Sequence, residues 1–392
     1  MPISPKKSPM LAAAPLVEWR ANRISDPIER LRFLRRAAAY RSAVPAGFVG
    51  FVKHAAVAIF VVGLMVPLAL VSDASALWRK APPVPLTIPA RKLEATAADA
   101  IPNIWQVEKS RDQEVYSNGL RVETKYIAAP LGPRPAKFVR YKADDLATEE
   151  SASPFGIVYH TTESHMLPFE ASRNSQLKYT GENLAGYVRA KRAYHYLIDR
   201  FGRVYQILPD AEHANHSGSS IWGDGKWSYL HLNTAFLAVA FEARTKPEPG
   251  QSVATAAQVL AARLLTETLR SRYRIDARNC VTHAQVSVNP TSFLIGEHTD
   301  WAADFPFESV GLNDNYELPI AAIGAFGFTA DSIYLTQTGK RLWKGILLGE
   351  ERLRLDAAAR GITAGQHRRI LQQRYKDMLT GMRIDNSGEE KN

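Results

Sequence analysis

Three residues could hold a metal by type and position. His160 closes the apolar run Phe155-Gly156-Ile157-Val158-Tyr159. His283 follows Val281-Thr282 at the end of a second short apolar run. Asp300 lies 17 residues beyond His283, in Gly296-Glu297-His298-Thr299-Asp300-Trp301. Two imidazoles and one carboxylate make a zinc set that leaves a fourth position for water, whose pKa the metal lowers towards neutrality. That chemistry suits amide hydrolysis without a protein nucleophile. Spacing alone does not specify such a site, because 123 residues separate the two histidines. Cys280 is the only cysteine, which excludes an intrachain disulfide and a multi-cysteine zinc site. In its apolar context it reads as a small buried hydrophobe.

The elements that must position these residues alternate between two periods. Phe155 to Tyr159, Tyr194 to Ile198, Val204 to Ile207 and Ala235 to Phe241 read as short buried strands. Asp199-Arg200-Phe201-Gly202-Arg203 is the turn between the second and third. Glu182 to Arg192 reads as a helix. Val253, Ala257, Leu260, Leu264, Leu265, Leu269 and Tyr273 recur at helical spacing, which predicts a long helix over 253–273. Strands interleaved with helices imply an α/β layer fold. An apolar patch from Leu318 to Phe328 and helical sequence from Lys340 to Met382 predict an accessory, mostly helical extension over 309–392.

The net charge of +10 invites a nucleic-acid reading. Its distribution argues against one. Residues 1–54 hold ten Lys/Arg and three acids, a charge of +7, so the remaining 338 residues carry only +3. A groove that neutralises many phosphates needs its cations on the folded part. This excess instead precedes Ala55 to Val71, seventeen uncharged residues at the short end of what spans a bilayer. The positive-inside rule then keeps 1–54 in the cytoplasm and predicts one transmembrane anchor at 55–72. Residues 73–150 read as a Pro- and Ala-rich linker followed by a lead-in of short alternations. The expected location is the cytoplasmic membrane, single-pass, with the domain from 151 to 308 in the periplasm. A small-x-small stretch at Ala74-Ser75-Ala76 leaves signal-peptide cleavage as the alternative.

Six blocks, in order, resemble the type 2 N-acetylmuramoyl-L-alanine amidases, a superfamily shared with the T7-type lysozyme amidases and peptidoglycan recognition proteins. Ile157-Val158-Tyr159-His160-Thr161-Thr162 is similar to that family's strand ending in the first zinc histidine. The stretch from Ala193 to Gln206 is similar to its strand-turn-strand block. Ala214-Asn215-His216-Ser217-Gly218 resembles its short "A-x-H-x-G" segment, and Asn233 to Glu242 its central strand. Thr282-His283 resembles the second zinc histidine. Thr299-Asp300-Trp301 with Phe305-Pro306 resembles the block that supplies the third ligand. The resemblance covers about 154–307. It implies a central mixed β-sheet flanked by helices, with Zn2+ held by His160, His283 and Asp300. It also implies cleavage of the amide between N-acetylmuramic acid and L-alanine in peptidoglycan by a metal-activated water.

The resemblance further suggests Tyr194 and His298 as catalytic groups. Tyr194 matches a strand position where some members carry a functional tyrosine. His298 sits where many carry a catalytic lysine, and it is also an alternative third ligand to Asp300. His216, Trp222 and Glu242 are candidate substrate-binding residues. The sequence departs from the family at Ala240, where some amidases place a catalytic glutamate; only Glu242 remains. The interval from His283 to Asp300 is long, and Ser164 to Tyr179 reads as an insertion at the groove rim. The expected partners are peptidoglycan or muropeptides and the cytoplasmic membrane, with no nucleic acid. The competing reading is a non-catalytic peptidoglycan sensor or scaffold of the same fold.

Overall fold

A computed structural model describes residues 99–388, apart from 133, 144–146 and 248–251. The basic segment 1–54, the apolar segment 55–72 and the linker up to 98 lie outside the described residues. Among the described residues no helix is long and apolar enough to cross a membrane.

The chain begins with an antiparallel meander of β1 (Gln106–Lys109), β2 (Gln113–Tyr116) and β3 (Arg121–Glu123). A second antiparallel pair follows, β4 (Phe138–Lys142) and β5 (Thr148–Ser151). Next come β6 (Gly156–Thr161), α1 (Asn174–Lys191), β7 (Tyr196–Ile198) and β8 (Val204–Gln206). β9 (Ile221–Gly223), β10 (Trp227–Leu230) and β11 (Phe236–Phe241) precede α2 (Ala256–Tyr273) and β12 (Cys280–Thr282). A four-residue helix, α3 (His283–Val286), leads to the small hairpin of β13 (Val288–Asn289) and β14 (Leu294–Ile295). Four helices close the chain: α4 (Ala321–Phe326), α5 (Ser332–Gln337), α6 (Lys340–Ala359) and α7 (Ala364–Gly388).

The central sheet has the order β1-β2-β3-β8-β7-β11-β6-β12. Its last four strands run parallel to one another. β6 and β11 are buried at every position, which is why both read as unbroken apolar runs. Side chains alternate between the faces. Leu237, Val239 and Phe241 join Ile157 and Tyr159 against Ala261, Leu265 and Leu269 of α2. Ala240 and Leu197 join Ala185 and Val188 of α1. α1 and α2 therefore cover opposite faces. Between β7 and β8 the Asp199 carboxylate accepts from the backbone N–H groups of Phe201 (3.0 Å) and Arg203 (2.9 Å), which shapes the turn.

α1 and α2 both differ from expectation at their starts. α2 opens on a capping box: Thr255 Oγ1 accepts from the Gln258 N–H, and Gln258 Oε1 accepts from the Thr255 N–H. α1 starts at Asn174, eight residues before Glu182, and so absorbs part of the expected insertion. Arg173 provides no side-chain cap there, so the sequence carries no start signal. The long interval from His283 to Asp300 is filled by α3 and the β13–β14 hairpin. Residues 105–150 also do more than lead in, since β1, β2 and β3 lengthen the main sheet. β4 and β5 join β10 and β9 in a separate four-stranded sheet.

Residues beyond 308 share the core of the sheet. Tyr316, Ile320, Ile323, Phe326, Phe328, Leu342, Ile346, Tyr375 and Met378 belong to the same buried cluster as Tyr159, Trp301 and Phe305.

Candidate metal centre

Register places the two histidines side by side. In β6, Tyr159 stands beside Thr282 of β12, and His160 stands beside Ala240 of β11. One residue past Thr282 the chain turns into α3, so His283 emerges level with His160. Both rings thus stand at the carboxyl ends of parallel strands, where α/β folds place their ligands. Asp300 arrives from the loop after β14 and bridges them. Its Oδ2 lies 3.0 Å from His160 Nδ1, and its Oδ1 lies 2.8 Å from His283 Nδ1. The imidazole centroids of His160 and His283 are 4.6 Å apart.

These residues fit a metal. One donor atom from each of His160, His283 and Asp300 falls within 4.8 Å of the others, and all three residues are buried. The protonation states of His160 and Asp300 fit as well, because a ligand imidazole must be neutral and a ligand carboxylate ionised. Burial, and then the neighbouring His283, push the His160 pKa down to about 4, against the pull of Asp300. Burial alone would raise the Asp300 pKa, but the two rings outweigh it and hold the carboxyl well below its usual range.

Two more histidines adjoin the group. His216 Nδ1 lies 3.1 Å from His160 Nε2. Burial, with His160 and His195 as neighbours, keeps the His216 ring neutral. Its Nε2 is buried without a partner among the described residues. Its loop is held by Asn233, whose Oδ1 accepts from the N–H groups of His216 (3.0 Å) and Ser217 (2.8 Å). The His298 ring stacks on that of His283, with centroids 4.6 Å apart and planes 18° apart. His298 is exposed, whereas Asp300 bridges both buried rings, so the geometry places Asp300 and not His298 in the three-residue group.

The half-buried Tyr194 ring lies 5.2 Å from that of His160. Burial, and then the charges of Asp300 and Glu163, raise its pKa, so the phenol stays protonated. The next residue, His195, is structural. Its Nε2–H donates to the Glu212 carbonyl (2.9 Å), and its Nδ1 accepts from the Ala238 N–H (3.0 Å).

Two expected substrate contacts sit elsewhere. Trp222 is 1% exposed, and its indole N–H donates to Asn279 Oδ1 (3.1 Å). It therefore has no open ring face to offer a sugar and is a core residue. Glu242 follows β11 on the face of Ala240 and is 2% exposed. It accepts from the Arg200 N–H (3.2 Å) and stands near Gly181 of α1, outside the three-residue group.

Residues 150–301 match the family model described as N-acetylmuramoyl-L-alanine amidase. Over that stretch the chain is similar to the type 2 amidases. The amidase domain is thus the part that contains all three candidate ligands. Among solved structures, the chain is similar to AmpDH3 from Pseudomonas aeruginosa in complex with anhydromuramic pentapeptide. The identity is 18% and the TM-score 0.29, over 40% of this chain and 58% of that one. It is similar to the N-acetylmuramyl-L-alanine amidase AmiD from E. coli, at 20% identity and TM-score 0.28, over 51% of this chain and 65% of that one. It is also similar to Drosophila peptidoglycan recognition protein SD, at 19% identity and TM-score 0.26, over 41% and 79%. The chain spans less than two thirds of the first two, and at these TM-scores the family match alone carries weight. No curated protein matches the chain.

Sequence reasoning missed Asn233 as the residue that fixes the His216 loop, although it begins the central-strand block. It also missed Asn315, Tyr316 and Tyr334, which lie beyond the amidase domain. No local motif marks them.

Proposed function

We propose that this protein hydrolyses the amide between N-acetylmuramic acid and L-alanine in peptidoglycan, with zinc held by His160, His283 and Asp300. The observation that carries the reading is the buried His-His-Asp group inside a domain of the amidase family. A bound zinc ion would supply Lewis-acid polarisation of the carbonyl and a lowered pKa for water.

The chain's own residues supply the rest. Asp300 presents one carboxylate oxygen to each imidazole. Among the described residues the Tyr194 hydroxyl has no hydrogen-bond partner, and its raised pKa keeps the proton on it. It serves as a donor to the oxyanion that develops on the scissile carbonyl. His298, exposed at the rim and stacked on His283, shuttles a proton to the leaving amine. Ala240 beside His160 places no carboxylate on the neighbouring strand, so proton transfer falls to His298.

The location proposed is the outer face of the cytoplasmic membrane, on the strength of the basic segment 1–54 ahead of the apolar segment 55–72. A reporter fused after residue 392 should read as extracytoplasmic.

The deciding experiment incubates the full chain with purified peptidoglycan, with and without a zinc chelator, and identifies products by mass spectrometry. Stem peptides beginning at L-alanine, absent with chelator and absent in His160→Ala, are the expected result. Intact peptidoglycan beside a zinc-loaded, folded protein would turn the reading into that of a binding module.

A further inference from the structure

The backbone that carries two of the three candidate ligands is held from outside the amidase domain. Ala284 directly follows His283 and is buried. Its N–H donates to the Asp300 carbonyl (3.2 Å), which ties the two ligand-bearing segments together. Its own carbonyl accepts from the Tyr334 hydroxyl at 2.6 Å. Because α3 is only four residues long, that carbonyl has little help from its own helix.

Tyr334 is built for this contact. It is 3% exposed, and its N–H is capped by Asp331 Oδ1 (2.6 Å) at the start of α5. Its ring packs against Gly296, where a Cβ would stand 2.1 Å from a ring carbon. Gly296 also has a φ of +79°, so glycine is required there twice over. Gly296 opens the loop that ends at Asp300, and its N–H donates to the Ser287 carbonyl (2.8 Å) at the end of α3. The phenol therefore fills the notch between the segment of His283 and the segment of Asp300. A second tyrosine supports the far side: the Tyr316 hydroxyl donates to the carbonyl of Trp301, the residue after Asp300 (2.7 Å).

We propose that Tyr334 is a positioning residue for the metal centre, holding the His283 and Asp300 segments at the separation that a bound zinc ion needs. This rests on the metal reading of His160, His283 and Asp300. A partner of this kind, one step behind the ligands, sets their orientation and hence the affinity of the site.

The test compares the full chain with its Tyr334→Phe variant, which keeps the ring on Gly296 and loses only the donor. Zinc affinity is measured by chelator competition, and thermal stability is measured with and without zinc. The expected result is zinc binding weakened about ten-fold to a hundred-fold, with a larger stability loss in the zinc-loaded protein than in the zinc-free one. Cobalt substituted for zinc should show an altered absorption spectrum in the variant. Ile333→Ser, on the exposed side of α5, should match the parent. If the parent binds zinc and the variant binds it equally well, losing the same stability with and without metal, Tyr334 is a packing residue and the inference is overturned. If the parent itself binds no zinc, the metal reading falls and takes this inference with it.

Discussion

At the scale of single residues, Tyr194 and Glu242 separate chemistry from architecture. Tyr194→Phe removes a donor and no metal ligand. It should lower kcat about a hundred-fold while zinc affinity stays unchanged, as steady-state kinetics and chelator competition would show. Glu242 behaves differently. Burial, only partly offset by the Arg200 N–H, raises its pKa from 4.5 to about 7. A carboxyl raised in the folded state stabilises the fold fully below its unfolded pKa, and that contribution is lost as pH climbs through the folded value. Between pH 4.5 and 7 the protein should therefore lose on the order of 3 kcal/mol through this group. Glu242→Gln should flatten that stretch of the stability curve, as urea unfolding at several pH values would reveal. A Glu242→Gln variant that follows the parent curve would show that the carboxylate is already ionised in the folded state.

At the scale of elements, α2 does double duty. It covers one face of the sheet, and Gln258 Nε2 donates to the carbonyls of Ile198 and Glu242 (3.1 Å each), at the end of β7 and just past the end of β11. Thr255→Ala removes its cap and should cost about 1 kcal/mol, visible as a lower Tm. Such elements were legible in the sequence because their burial is complete or strictly periodic. β6, β11 and α2 each lie within a few residues of where their apolar patterns place them. α1 was half-legible, since its first two turns are polar and uncapped. β1 to β5 were barely legible, being short and mostly exposed on one side. The three-residue group was legible because His160 and His283 each end an apolar run, and Asp300 lies in a block, Thr299-Asp300-Trp301, that resembles the family's. Trp222 misled because an aromatic in a glycine-containing loop looks the same in sequence whether it lines a groove or closes a core.

At the scale of the whole molecule, the division at 308 is weaker than the sequence suggests. Asn315 Nδ2 donates to the carbonyls of Ala277 (2.7 Å) and Cys280 (2.8 Å), and the Asn315 carbonyl accepts from Gln285 Nε2 (2.8 Å). Tyr316 and Tyr334 continue the same bracing to Trp301 and Ala284. None of this can be read from composition, because the contacts join residues 15 to 50 positions apart that share no motif. A fragment ending at residue 308 should therefore lack a cooperative unfolding transition and bind no zinc, although it contains every residue matched by the amidase family. Calorimetry and zinc titration of that fragment would check both points. A well-folded, zinc-binding fragment would make the extension dispensable.

The bond between Tyr334 and Ala284 also carries a consequence in time. The ribosome delivers His160, His283 and Asp300 before it delivers the side chain that braces two of them. The chain therefore passes through a stage at which every ligand has been made and the centre is still slack. Made in this order, the proposed zinc site gains this brace only after its last ligand has been added.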